Sequence, residues 1–233
     1  EQHEKKVEDI NTRHLVTLPN TRIEFENSCQ REINNLKNEN RNLKVTSINN
    51  WQKNNIGDIV LTFDDGFSSD FELVYPLLKQ MNITATFFIV SDFVGTKGYM
   101  TWENIKQLSD SGMEIASHSV THKYLNALND KKIFFELNNS KIKIEQMIGK
   151  EVSSFAYPFG SCSRKTHKFA ADAGYKNICN SKPGLCRFNS TILSRNSIHS
   201  NLNSSNIDRL VFPNQFELTI QKFGYLVRNG LKQ

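Results

Sequence analysis

The sequence predicts an α/β fold in which parallel strands lie side by side and helices cover their outer face. Short apolar runs alternate with amphipathic stretches from Ile59 onward. Two of those stretches end at a glycine, Gly112 and Gly174, as helices do when the chain must turn left-handed. The strand-then-helix unit recurs several times within one domain-sized chain of 233 residues. Units of this kind close into a barrel or spread into a doubly wound sheet, and in both the chemistry belongs at the carboxyl ends of the strands.

Taken in order, residues 1–55 are polar and rich in Asn, Lys and Glu, with a helical apolar pattern at Ile23, Phe25, Cys29, Ile33 and Leu36. They read as an N-terminal extension, an outer helix and a strand over 45–48, packed on the domain of residues 56–233. Ile59-Val60-Leu61-Thr62-Phe63 reads as a buried strand, and Phe71, Val74, Leu78 and Met81 mark one face of the helix after it. A strand over 83–90 leads to a helix over 102–111, and a strand over 113–116 leads to a helix opened by Asp130 with Ile133, Leu137, Ile144 and Ile148 inside. A strand over 152–157, a helix over 165–173 and strands over 175–179 and 191–198 complete the series.

Composition sets the bounds. Hydrophobic residues at 38% and aromatics at 10% suit one domain with a substantial core. The 29 Lys and Arg against 24 Asp and Glu give a net charge of +5, but the basic residues are scattered and form no stripe. That excludes a nucleic-acid groove as the leading reading and suits an anionic or lipid-linked partner, including peripheral association with a membrane. No apolar run approaches the roughly 20 residues of a membrane span. The chain opens Glu1-Gln2-His3-Glu4 and reads as trimmed or processed. Cys29, Cys162, Cys179 and Cys186 form no CxxC pair, so they offer no structural metal site; a disulfide among the last three and free, partly buried thiols are equally compatible.

Three short segments carry chemistry, each at the end of a predicted strand. Thr62-Phe63-Asp64-Asp65-Gly66 sets two carboxylates side by side, an arrangement that mutual repulsion disfavours unless a cation or a reacting proton divides their roles. His118-Ser119-Val120-Thr121-His122 sets two imidazoles four positions apart, able to converge on one metal ion. A parallel fold brings both segments to one rim, where one carboxylate and two imidazoles leave a coordination position open and the second carboxylate stays free to accept a proton. The residues alone do not say which Asp does which. In Tyr157-Pro158-Phe159-Gly160, Pro158 fixes a turn and Gly160 permits an unusual backbone angle, so that a main-chain N–H points into the rim.

By these segments, with Ala85 to Val90 between them, the chain resembles the polysaccharide deacetylases of carbohydrate esterase family 4, over about Ile59 to Ile198. The stretch from Ile23 to Ile48 is similar to the helix and strand that precede the first motif in the envelope-polysaccharide branch. The resemblance implies a distorted (β/α) barrel of about seven parallel strands. It further implies Asp64 as general base, Asp65, His118 and His122 as ligands of a divalent metal, most suitably Zn2+, and the Phe159 N–H as oxyanion donor. Many members pair the catalytic Asp with an Arg in the third motif, where this chain has Ala156; Arg195 resembles an Arg of the envelope branch that supplies that charge from another direction. The Leu-x-His motif that holds the general acid in many members is absent, and His199, four residues after Arg195, is the candidate in its place.

The expected activity is therefore N-deacetylation of amino sugars in a cell-envelope glycan or a lipid-linked sugar, in a periplasmic or extracellular setting. A catalytically silent glycan-binding module of the same fold is the alternative, which would not need both Asp64 and Asp65. An aspartyl-phosphate enzyme built on the same turn would leave the His pair without a task. Tyr99, Trp102 and Phe67 are aromatic candidates to line a sugar cleft.

Overall fold

The computed structural model describes residues 44–54, 59–186 and 190–198. Strands β1 (Val45–Thr46), β2 (Ile59–Val60), β3 (Thr62–Phe63), β4 (Thr86–Ile89), β5 (Glu114–Ser117), β6 (Ser154–Ala156), β7 (Asn177–Cys179) and β8 (Ile192–Leu193) follow one another in the chain. β1 pairs with β2, β3 to β8 form one sheet in sequential order, and every pairing is parallel. Leu61 joins the two ladders: its N–H donates to the Thr46 carbonyl and its own carbonyl accepts from the Thr86 N–H. Residues 59–63 thus serve as one strand kinked at Leu61, and the sheet curls as a seven-strand barrel wall. Among the described residues no ladder joins β8 back to β1.

Helix α1 (Ile48–Asn54) begins where the sequence suggested that the first strand continues. The Ile48 N–H donates to Thr86 Oγ1 at 3.0 Å and the Asn49 N–H to Glu114 Oε2 at 2.8 Å. Two of the N–H groups that a helix start leaves orphaned are thereby satisfied by buried side chains of β4 and β5. Outside the sheet lie α2 (Tyr75–Gln80), entered through a π-helical turn (Asp70–Val74), α3 (Trp102–Asp110), α4 (Asp130–Ile148) and α5 (Arg164–Asp172). Thr101 with Asn104 and Ser163 with Thr166 form capping boxes at the starts of α3 and α5, and Gly149 ends α4 at φ 72°.

Alternation along the strands sorts the core into two sides. Phe87, Ile89, Ile115, Phe155 and Ile178 face outward and pack under the helices. Phe88, Ala116, Ala156, Cys179 and Leu193 face inward and close on Ile48 from α1. Below that apolar layer a polar one fills the floor, where Glu114 accepts from Thr86 Oγ1 at 2.9 Å and from Ser154 Oγ at 2.5 Å. Continuing by two residues on β5 and β8 toward their carboxyl ends leads from Ala116 to His118 and from Leu193 to Arg195. The barrel wall itself therefore carries those two side chains to the rim.

Cys162, Cys179 and Cys186 are free thiols, so no disulfide joins these three. Cys179 sits in the inward layer, where burial pushes its thiol up to about 12, and Cys186 donates to the Ser194 carbonyl at 3.0 Å. The helix expected within residues 23–36 and the candidate acid His199 lie outside the described residues.

Candidate active site

The rim is built from turns that hold uncommon backbone angles. After β3 the chain turns at Asp65 (φ 72°) and Gly66 (φ 81°). A Cβ at Gly66 would meet Ile89 Cδ1 at 3.1 Å, and the Gly66 carbonyl accepts from the Met100 N–H at 3.0 Å. After β5, Ser119 (φ 70°) and His122 (φ 55°) also take left-handed angles that L-residues seldom adopt. That second loop is pinned from outside: Glu136 on α4 accepts from the Val120 N–H at 2.9 Å and the Thr121 N–H at 2.8 Å, and also from Thr121 Oγ1. Glu136 was not identified from the sequence, although an acid on the inner stripe of Ile133, Leu137 and Ile144 is the kind of signal that marks one.

His118 is buried, at 2% exposure, and its Nδ1 lies 2.8 Å from the Ala156 carbonyl. A carbonyl only accepts, so Nδ1 carries the proton and the Nε2 lone pair faces the rim. Burial, the largest influence, holds the His118 pKa below its ordinary value and keeps the ring neutral, against the raising effect of Asp64.

Three donor atoms converge there. Asp65 Oδ1 lies 3.4 Å from His118 Nε2 and 3.2 Å from His122 Nε2, and the two nitrogens are 3.2 Å apart. Asp65 Oδ1 is buried without a hydrogen-bond partner, a costly state for a carboxylate oxygen that faces no cation. Zn–N and Zn–O bonds of about 2.0–2.2 Å in a tetrahedral array require donors about 3.3–3.6 Å apart. The observed triangle fits one face of that tetrahedron, and its donor set, two imidazoles and a carboxylate, fits a divalent cation of the zinc type.

Asp64 stands beside the triangle, its Oδ2 3.9 Å from His118 Nε2. Arg195 grips it with Nη1 on Oδ1 at 2.6 Å and Nη2 on Oδ2 at 2.8 Å. The guanidinium is fixed in turn by the Asn180 carbonyl at 3.2 Å, Thr62 Oγ1 at 3.3 Å and the Phe88 ring, 5.1 Å from its centroid. Burial pushes the Asp64 carboxyl up, but the charge and hydrogen bonds of Arg195 outweigh it and hold the pKa below its ordinary value. Ala156 leaves the third motif without an arginine, and Arg195 reaches the same carboxylate from beyond β8.

Phe159 occupies a 3-10 turn (Pro158–Gly160) at φ 58°, a strained angle for a bulky residue, with its ring 4.6 Å from that of His122. Gly160 is sterically required, since a Cβ there would come within 2.4 Å of Ser181 Cβ. Trp102 opens α3, packs on the core and lies under Lys143. A further acid, Asp70, is buried behind the first turn with Oδ2 unpartnered. Its pKa is pushed up to about 7 by burial first and by Asp64 and Asp65, against a backbone hydrogen bond at Phe67.

The family model described as polysaccharide deacetylase matches residues 52–178. The chain is 31% identical over 140 residues to the peptidoglycan-N-acetylglucosamine deacetylase of Bacillus cereus, covering 59% of this chain and 63% of that one. In fold it is similar to the Streptococcus pyogenes deacetylase PplD in complex with acetate, with a TM-score of 0.69 at 21% identity over 81% of this chain and 87% of that one. It is equally similar to a de-N-acetylase from Aggregatibacter actinomycetemcomitans, with a TM-score of 0.71 at 20% identity over 79% and 88%. The chain spans about half the length of the curated relatives it matches.

Proposed function

Because this chain belongs to the polysaccharide deacetylase family, we propose that it is a metal-dependent hydrolase that removes N-acetyl groups from N-acetylated amino sugars of a cell-envelope glycan or a lipid-linked sugar. One observation carries the reading. Asp65, His118 and His122 turn three donor atoms on a single point, while Asp64 stands next to that point with its carboxylate held by Arg195.

Asp65, His118 and His122 would hold the cation, for which Zn2+ is the best match to these donors. When bound, it polarises the acetyl carbonyl and acidifies a water. Asp64, ionised at neutral pH under the influence of Arg195, accepts the proton of the attacking water. Arg195 fixes the carboxylate plane by its two parallel hydrogen bonds, so that the basic lone pairs keep one direction. The Ala156 carbonyl does the same for His118 by holding the proton on Nδ1. The Phe159 N–H, on its strained turn beside His122, donates to the oxyanion as the carbonyl becomes tetrahedral. His199 delivers a proton to the departing amine.

This reading sets the protein in the cell envelope, periplasmic or extracellular, where a mildly basic surface suits peripheral association with a membrane and no nucleic acid is a partner. Among the described residues no helix is long and apolar enough to cross a membrane. The test is acetate release from N-acetylglucosamine oligomers, abolished by a chelator and restored by Zn2+. A silent glycan-binding module would bind the oligomers and release no acetate under any metal.

A further inference from the structure

The inner side of α4 is fully used, with Ile133, Leu137, Ile144 and Ile148 buried in the core. Its outer side departs from the polar face that a surface helix ordinarily turns to water. Phe134 is 51%, Phe135 49% and Ile142 43% exposed. Ile142 follows Phe135 by two helical turns, so the two share one face, and Lys131, one turn before the rings, neighbours both of them. Large apolar side chains grouped on one face of a helix and left half in water mark a contact surface.

Cations surround that face. The basic residues are scattered in the sequence, but folding gathers several of them here. The start of α5 is tied to the start of α4 by the Lys165–Asp130 ion pair, by Asn126 Nδ2 on Ser161 Oγ at 2.9 Å and by Thr166 Oγ1 on Asn126 Oδ1 at 3.3 Å. Lys131, Lys132, Arg164 and Lys168 are exposed on these two helices. Of the acids on this side, Asp130 is taken by Lys165 and Asp92 by Lys143, and Asp172 stands at the opposite end of α5. Phe and Ile set among Lys and Arg suit the headgroup layer of an anionic bilayer, where the rings enter the acyl boundary and the cations meet lipid phosphates. A second copy of this chain fits less well. An isologous contact would set these cations against one another, and a stable dimer buries about 800 Å² from each partner with few charges at its centre.

We propose that the outer face of α4, from Lys131 through Phe134 and Phe135 to Ile142, forms with the start of α5 a docking surface for an anionic phospholipid membrane. Helix α4 starts beyond the carboxyl end of β5, on the rim side of the barrel wall. Docking through Phe134 and Phe135 therefore brings the rim beside the headgroups, where a sugar carried on a lipid would be presented. The inference deepens the envelope reading and rests on it for the purpose of the surface, while the binding itself needs no catalysis.

The experiment measures co-sedimentation of the whole chain with vesicles of phosphatidylcholine alone and of phosphatidylcholine mixed with phosphatidylglycerol, at low and high salt. The native protein should bind the mixed vesicles, bind the neutral ones about tenfold less, and be released as salt rises. Lys131→Gln and Arg164→Gln should each weaken binding about fivefold and Phe135→Ala about tenfold, whereas Lys79→Gln on α2 should leave it unchanged. Thermal unfolding checks that every variant folds, and the emission of Phe134→Trp should shift to the blue on the mixed vesicles. Equal partition onto both kinds of vesicle, or losses no greater than that of Lys79→Gln, would overturn the surface. So would a native dimer that Phe135→Ala dissociates in sedimentation velocity, since the face would then belong to a second copy. Acetate release is scored separately. A protein that binds the mixed vesicles and releases no acetate sinks the deacetylase reading alone, and one that releases acetate and ignores the vesicles sinks the docking surface alone.

Discussion

Arg195 and Asp64 meet through two parallel hydrogen bonds of 2.6 and 2.8 Å, although 131 residues separate them in the chain. Arginine at this position, anchored also to Asn180 and Thr62, both lowers the carboxylate's basicity and fixes its plane.

Arg195→Ala should lower turnover about 10–100-fold, as removal of an orienting partner does, with metal content retained. Burial would then act on Asp64 unopposed and raise its pKa, so the acid limb of the pH–rate profile should move to higher pH. The sign for stability follows the same shift. A carboxyl held below its ordinary value contributes stability that is present above the unfolded pKa and lost as pH falls through the folded one, and the variant should lack that loss. Arg195→Lys, which cannot form the fork, should resemble Ala more than the native protein.

Asp64→Asn and His118→Ala should separate base from ligand. The first should cost about 10²–10⁴-fold in turnover with bound metal unchanged by elemental analysis, and the second should lose metal and activity together.

Glu136→Ala should unpin the loop that carries His122. Val120 and Thr121 would be left with buried or half-buried N–H groups unpaired, at about 1–3 kcal/mol for each group so left. Metal titration should weaken about 10–100-fold alongside a lower melting temperature, and Glu136→Gln should recover part of both.

Asp70→Asn should remove a pH dependence. A carboxyl raised to about 7 contributes stability that is complete below its ordinary value of 3.8 and lost as pH rises through about 7. In metal-free protein the native melting temperature should drop relative to the variant's as pH rises across that window. The difference at pH 8 should reach on the order of 2–4 kcal/mol in favour of Asn. Parallel curves would show that Asp70 is solvated or paired.

Much of this was legible in the sequence, for identifiable reasons. Buried strands of Ile, Val, Leu and Phe announce themselves, and the helices that stop shortly before Gly112 and Gly174 have clear ends, whereas the caps at Thr101, Asn129 and Ser163 emerge only from the structure. The paired Asp and His motifs were visible because each falls where a strand ends. Helix α1 was not visible, since its seven residues are too few for periodicity and its start depends on Thr86 and Glu114, which are distant in the chain. Glu136 and Asp70 were missed because their importance lies in what surrounds them, an unpaired loop in one case and two other carboxylates in the other. The last strand was expected over 191–198, yet β8 ends at Leu193, and beyond it the Arg195 N–H donates to the Lys182 carbonyl past the end of β7.

The inward layer of Phe88, Ala116, Ala156, Cys179 and Leu193, stoppered by Ile48, packs closed side chains behind the rim cluster. On the deacetylase reading, and as far as the described residues reach, acetate then departs on the side by which the sugar arrives.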